Sequence, residues 1–368
     1  MEDPVVTAGE PQSAGTPAPP APSEPAPIEH PFEFHGDARE YFRIWIVNLA
    51  LGIVTLGLYS AWAKVRSERY FYGNTRLAGV PFEYLAQPWP ILKGRLIAVA
   101  LFGGYVLAGQ FSVTLQLGLA ALIAVLMPWL LVRGAAFRAR YSSWRGLRFR
   151  FVTDYRQAYV RYLLLWAPLA LTLGLLFPYV KFKQKQFFVE RHRYGGSAFG
   201  FRATGGDFYP PYLAAWGALV AWAFVSSMLI GAFVFGVVLH GRVPTPPPAW
   251  FGYAFALPMY LGYFAVWAFL SAALANLLYN RAELGPHRFR SSLKGSRLFG
   301  LYLGNTLAIV CSAGLAIPWA KVRLARYRAQ SLTLLAGDDP ANLHAEAGED
   351  IDAVAAEMDG LFDIDIGL

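Results

Sequence analysis

Cysteine is all but missing from this sequence. Cys311 is the only one among 368 residues, so no disulfide can close within the chain and no cysteine metal cluster exists. Its apolar neighbours Val310 and Leu315 lead to the expectation of a packed, inert thiol. Charge is also scarce, at 15% of residues. The histidines His30, His35, His192, His240, His287 and His344 are scattered, with no HExxH pair and no metal-ligand spacing. There is no Walker A motif and no GxGxxG. "GGSAFG" at Gly195 has a phosphate-loop spacing but lacks the following Lys-Ser/Thr, and it reads as a β-turn. These absences leave no catalytic residue, metal site or cofactor to expect, so no enzymatic activity is expected either. Residues 1–30 lack a basic stretch followed by an apolar one, so no signal peptide is expected there. They are rich in Pro, Ala, Glu and Ser, and the expectation is a disordered tail.

What is present is apolar and aromatic. Hydrophobic residues make up 56% of the chain, aromatic residues 16%, and the mean hydropathy is +0.36. Long apolar runs of this kind define an integral membrane protein, and abundant Trp and Tyr fit interfacial belts. The formal charge of +8 sits beside apolar spans rather than on a soluble face. No nucleic acid is therefore expected as a partner.

The strongest signal is an internal repeat. "TLGLYSAWAKVRSERYFY" from Thr55 returns as "TLGLLFPYVKFKQKQFFV" from Thr172 and as "SAGLAIPWAKVRLARYRA" from Ser312. A gapless shift of 117 residues lays Phe32 on Phe149, Asp37 on Asp154 and Gly57 on Gly174. A shift of 257 lays Phe289 on Phe32, Asn305 on Asn48 and Gly314 on Gly57. Each copy reads as a short strand ("FEFH", "FRFRF", "RFRSS"), an apolar helix, a Gly break, a basic-aromatic helix and further short strands. The implied divisions are a tail over 1–30, repeat 1 over 31–95, a transmembrane hairpin over 96–132, repeat 2 over 133–211, a second hairpin over 212–279, repeat 3 over 280–336 and an acidic tail over 337–368.

These residues resemble the YjgN family of bacterial inner-membrane proteins, a domain of unknown function. The resemblance rests on Phe32, Phe34, Gly36, Asn48, Thr55 to Tyr59, Trp62, Lys64, Arg66, Arg69, Tyr70, Asn74, Thr75, Gly79, Phe82, Tyr84 and the final "FDIDIGL". It covers roughly residues 31–368. It implies a multi-pass inner-membrane location and brings no activity. Copies two and three depart from it at Asn74-Thr75, where they carry Arg191-His192 and Ser331-Leu332.

Hydropathy alone offers seven spans. Seven spans would export thirteen of the 32 Lys and Arg, whereas letting the three repeated segments enter and return on one side leaves only Arg242 outside. The expected fold class is therefore an all-α polytopic membrane protein. It would have four full spans, three repeated short or re-entrant helical hairpins and small cytoplasmic β elements. Both termini are expected in the cytoplasm.

Candidate site residues follow from polarity at membrane depth and from the basic helices. Asn48 and Asn305 either line a cavity or cap freed carbonyls at the helix breaks. Trp62, Lys64, Arg66 and Arg69, with Lys181 and Lys183, and Trp319, Lys321, Arg323 and Arg326, place cations in the headgroup layer, where anionic lipid is the expected partner. Topology alone would also account for them. The acidic tail is expected to dock residues 361–366 on a basic cytoplasmic face. Two functional classes stay open: a transporter or channel for a small solute or lipid, and a non-transporting scaffold that binds anionic lipid or a protein partner. Protein partners cannot be read from the sequence.

Overall fold

Tight turns set the architecture. Ala78-Gly79 and Arg145-Gly146 both carry positive φ, at +50° and +76° and at +49° and +76°. This is the two-residue turn whose twist suits an antiparallel hairpin. In the computed structural model, which describes residues 27–239 and 249–337, such turns join β2 (Thr75–Leu77) to β3 (Val80–Tyr84) and β4 (Ser142–Trp144) to β5 (Leu147–Phe151). β6 (His192–Tyr194) likewise joins β7 (Ser197–Phe201), and β8 (Ala282–Leu284) joins β9 (His287–Ser291). The outermost strands, β1 (Ile28–Phe34) and β10 (Leu332–Ala336), pair with each other and form a fifth hairpin without a turn.

Between hairpins, the next pairing always runs across a helical excursion: β1 with β2, β3 with β4, β5 with β6, β7 with β8, and β9 with β10. Among the described residues the result is a closed antiparallel barrel of ten strands. The excursions are α1 (Ala38–Val54) with α2 (Ser60–Asn74), and α3 (Pro88–Phe111) with α4 (Val113–Tyr141). Next come α5 (Tyr155–Tyr159), which passes through a π-turn over Val160–Leu164 into α6 (Trp166–Leu171), and then α7 (Phe177–Arg191). α8 (Tyr209–Leu239) with α9 (Ala249–Arg281), and α10 (Gly295–Cys311) with α11 (Ile317–Gln330), complete the set. All five excursions leave from one end of the barrel, because the turns occupy the other.

The five units are alike in detail. One backbone bond ties each excursion at its base: His35 N to Asn74 O, Leu85 N to Tyr141 O, Val152 N to Arg191 O, Arg202 N to Arg281 O and Ser292 N to Ser331 O, all at 2.8–2.9 Å. Five cross-strand pairs share one register: Phe32 with Leu77, Phe82 with Trp144, Phe149 with Tyr194, Phe199 with Leu284 and Phe289 with Leu334. Together they form one hydrophobic cluster. Side chains on one face of a closed sheet converge, so these pairs fill the barrel rather than line a hole.

The excursions differ in length, and glycine decides which are short. Gly57, Gly174 and Gly314 each stand eighteen positions before the returning strand, at φ of +89°, +88° and +92°. A side chain is strained there, so the helix breaks and reverses. In α4 the same position holds Ala124 and in α9 it holds Phe264, and both helices continue. Among the described residues, Pro88–Phe111, Val113–Tyr141, Gly206–Gly236 and Ala256–Arg281 are the stretches long and apolar enough to cross a membrane.

The barrel overturns the all-α class with small β elements. Local pattern shows strands of three to five residues, which read as isolated hairpins. Closure comes from pairings across excursions of some 40 to 80 residues, and no local periodicity records those. β1 also begins at Ile28, inside the stretch expected to be a disordered tail, because it pairs with β10 from Ile28 onward. The expected docking of residues 361–366 lies outside the described residues.

Candidate functional site

The site is built from the returning helices of the short hairpins. Asp37 caps α1 by accepting from the amides of Arg39 and Glu40, which hold its carboxyl below the usual aspartate range. The hydroxyl of Tyr70 accepts from the Asp37 amide at 2.8 Å and donates to the Asp37 carbonyl at 2.7 Å. Burial pushes this phenol up to about 12. Tyr327 makes the same pair of contacts with Lys294 in the third short hairpin.

Each helix break has one construction. Thr55 Oγ1 donates to Leu51 O at 2.7 Å and accepts from the Tyr59 amide at 3.0 Å. Thr172 Oγ1 donates to Pro168 O, and Ser312 Oγ accepts from the Ala316 amide at 2.9 Å. The residues at the tips, Leu56, Leu173 and Ala313, are all left-handed, at φ of +48° to +50°. Leu56 and Leu173 are 95% exposed.

Asn48 and Asn305 are buried, each 6% exposed. Neither caps the break. The Asn48 amide donates to Ala63 O at 3.4 Å and the Asn305 amide to Ala320 O at 3.3 Å, which pins the two arms of each hairpin together. Asn48 Oδ1 also accepts from Arg66 at 3.3 Å, and Arg66 reaches the Tyr59 hydroxyl at 3.2 Å. Asn305 Oδ1 has no partner among the described residues, because Arg323 instead lies over the Trp319 ring at 4.9 Å.

The remaining cations divide by role. Arg69 donates to Ala86 O at 3.1 Å and Arg326 to Gly36 O at 2.9 Å, so both clamp the loop of the neighbouring unit. Lys183 lies over Tyr179 at 5.6 Å, and Lys181 over Phe177 at 5.3 Å. Lys64 and Lys321 stand two residues before Arg66 and Arg323, some 200° around their helices, and so do not share a face with them. Trp62 stacks on Tyr59 and meets the edge of Trp89 at 5.3 Å. The predicted residues thus fall into hairpin pins, inter-unit clamps and an aromatic-cation set, rather than one pocket. Among the described residues no group of three His, Cys, Asp or Glu stands together at metal-binding distance.

The three-copy repeat missed a fourth member of that set. In α4, Arg133 lies over Trp129 at 5.3 Å. "PWLLVR" from Pro128 matches "PYVKFK" from Pro178 and "PWAKVR" from Pro318, a signal that the apolar run around it conceals. Arg66, Arg133, Lys183 and Arg323 all precede the next strand by nine positions, and Trp62, Trp129, Tyr179 and Trp319 precede them by four.

A ten-strand barrel, filled at its axis and crowned by hairpins of two lengths with four apolar membrane-length stretches, defines an integral membrane protein built from five like units. The chain belongs to the family described as "Bacterial protein of unknown function (DUF898)", whose profile matches residues 29–361. It is 28% identical over 148 residues to "Inner membrane protein YjgN" of Escherichia coli O157:H7, covering 40% of this chain and 36% of that one. The protein of that name from Escherichia coli K12 is 32% identical over 123 residues, or 33% and 31% of the two chains. That from Salmonella typhimurium is 30% identical over 131 residues, or 35% and 33%. The matched stretch thus spans about a third of the length of these relatives. No solved structure matches.

Proposed function

We propose that this chain is a non-transporting scaffold of the bacterial inner membrane, carrying no reaction of its own. In this reading the barrel and both termini face the cytoplasm, two long hairpins span the bilayer, and three short hairpins enter one leaflet. The observation that carries the proposal is the filled barrel axis. Leu77, Trp144, Tyr194, Leu284 and Leu334 are buried there against five phenylalanines, which leaves no conduit along the axis. The names of the curated relatives support the location. The basic residues at the hairpin bases support the orientation through the positive-inside rule. Length supports the depth. The apolar part of α1, Ile44 to Val54, rises about 16 Å, roughly half of a ~30 Å hydrocarbon core.

The test pairs flux with labelling. Proteoliposomes of the purified chain should pass potassium, chloride and glycerol no faster than empty liposomes, and a clear excess for any of them refutes the scaffold reading. In a Cys311→Ala background, Ala198→Cys on the barrel should react with an impermeant maleimide only in inside-out vesicles. Leu173→Cys at a hairpin tip should react from neither side. Reaction from the outside at either position overturns the orientation or the depth.

A further inference from the structure

We propose that Trp62/Arg66, Trp129/Arg133, Tyr179/Lys183 and Trp319/Arg323 form one belt that binds the headgroup phosphates of anionic phospholipids. This rests on the scaffold reading and adds its ligand. The first observation is height. All four cations precede their strand by nine positions, which puts them about 13 Å above the barrel edge on four of the five returning helices. The fifth, α9, holds Ala273 at that position and Phe269 four residues earlier. From the other arms, Arg43 and Lys93 stand nine positions beyond β1 and β3, at the same level.

The second observation is where that level falls. In α4, Arg133 is the first charged residue met on coming down from Val113, and the stretch beyond it is apolar enough to cross a membrane. In the short hairpins the same level lies below apolar arms and the exposed tips Leu56 and Leu173. A shared height on helices of different length is what a planar interface imposes. Packing within one hairpin gives no reason for it.

The third observation is the chemistry of the pairs. Arg133, Lys183 and Arg323 lie over aromatic rings at 5.3, 5.6 and 4.9 Å. Among the described residues none of the four cations meets a carboxylate: Arg66 bonds Asn48 and Tyr59, Lys183 bonds Gln186, and the buried Nε of Arg133 has no partner. A guanidinium held over an indole face rather than by a carboxylate keeps donors free, and phosphate accepts two of them in parallel. Tryptophan itself favours the headgroup level. Trp319, Arg323 and the unpartnered Oδ1 of the buried Asn305 show the arrangement most clearly, since there the arginine has left its asparagine for the ring.

The experiment uses the full chain purified in neutral detergent and follows thermal unfolding while dioctanoyl phosphatidylglycerol, dioctanoyl phosphatidylcholine or inorganic phosphate is added. Phosphatidylglycerol should raise the midpoint saturably and less so at high salt, while the other two leave it in place. Replacing all four cations (R66Q, R133Q, K183Q and R323Q) should weaken the phosphatidylglycerol response at least about tenfold in apparent affinity. Neutralising three barrel arginines instead (R76Q, R148Q and R288Q) should leave it intact. Should the fourfold variant not fold, R133Q alone must weaken the response about fivefold. An unchanged response in the belt variants, a shift with inorganic phosphate alone, or a loss confined to the barrel variant overturns the belt. None of these outcomes bears on solute flux, so the belt and the scaffold reading fail separately.

Discussion

Phe82 faces Trp144 across the β3–β4 ladder, with their rings 6.0 Å apart and tilted by 26°. The Trp144 carbonyl also accepts the Tyr194 hydroxyl at 2.7 Å, so one plug residue is tied to the next unit. Deleting a fully packed indole removes transfer energy and leaves a cavity. Trp144→Ala should therefore cost about 3–5 kcal/mol of stability. Tyr194→Phe keeps the ring and removes only the hydrogen bond, for about 1 kcal/mol. Denaturant unfolding in mild detergent separates the two. Equal, small losses would mean that the barrel interior is not closely packed.

The barrel closes through β1 and β10, with Ile28 opposite Ala336 at the end where every other hairpin has its turn. The fifth hairpin therefore lacks only a covalent link. A circular permutant that joins residue 27 to residue 337 through a short Gly/Ser linker, and opens the chain between Ala78 and Gly79, should insert in membranes and melt within a few degrees of the parent. Opening the chain between Gly104 and Tyr105, inside α3, should not yield folded protein. If both permutants fail alike, the five units are not interchangeable.

His192 starts β6, with its ring against Phe151, Phe188 and Phe199 and its Nδ1 2.6 Å from Phe188 O. Burial, with the Arg138 charge nearby, pushes its pKa below the usual 6.5. As the pH falls through about 6.5, the unfolded chain takes up a proton that the folded chain refuses. Stability is full above about pH 6.5 and falls as the pH drops below it. Thermal midpoints between pH 7.5 and pH 5 should show this slope, and His192→Gln should flatten it. A slope unchanged in the variant would assign it to another group.

Arg69 and Arg326 bond carbonyls of the neighbouring unit, whereas Arg323 reaches none among the described residues. Arg326→Gln strands a half-buried carbonyl and should cost about 1–2 kcal/mol. Arg323→Gln should cost nothing measurable in neutral detergent. Unfolding free energies of the two variants check the division, and equal losses would erase it.

What could be read beforehand divides by range. Gly57, Gly174 and Gly314 announced the helix breaks because a positive φ near +90° is a local demand that only glycine meets well. The repeat around Trp62, Tyr179 and Trp319 was legible for the same reason. The barrel was not, because Phe82 learns of Trp144 only through a 57-residue excursion, from 85 to 141, whose length carries no register information. Trp129 and Arg133 were hidden differently. Ala124 stands where the three short units have glycine, so α4 runs straight through, and the hydropathy of Val113 to Val132 reads as one span without a repeat in it. The signal was the distance to the strand, which becomes visible only once the strands are aligned.

Leu56 and Leu173 allow the depth of the short hairpins to be read as an order of stabilities. Both are left-handed at φ of +50° and +49°, a conformation that costs leucine roughly 1–2 kcal/mol and glycine almost nothing. Asparagine tolerates it better than leucine does. If the tips met water, replacing leucine would relieve strain at no loss, and asparagine and glycine would both exceed leucine. If the tips lie in hydrocarbon, glycine forfeits apolar burial of about 2 kcal/mol and asparagine adds the desolvation of an amide on top. The expected order in lipid nanodiscs is therefore leucine, then glycine, then asparagine at both Leu56 and Leu173. Ala313 occupies the same place at φ +48° with far less apolar surface to lose, so Ala313→Asn should fall less than Leu173→Asn. Unfolding midpoints of the five variants decide the matter, and asparagine ranked above leucine at either tip would place that tip in water.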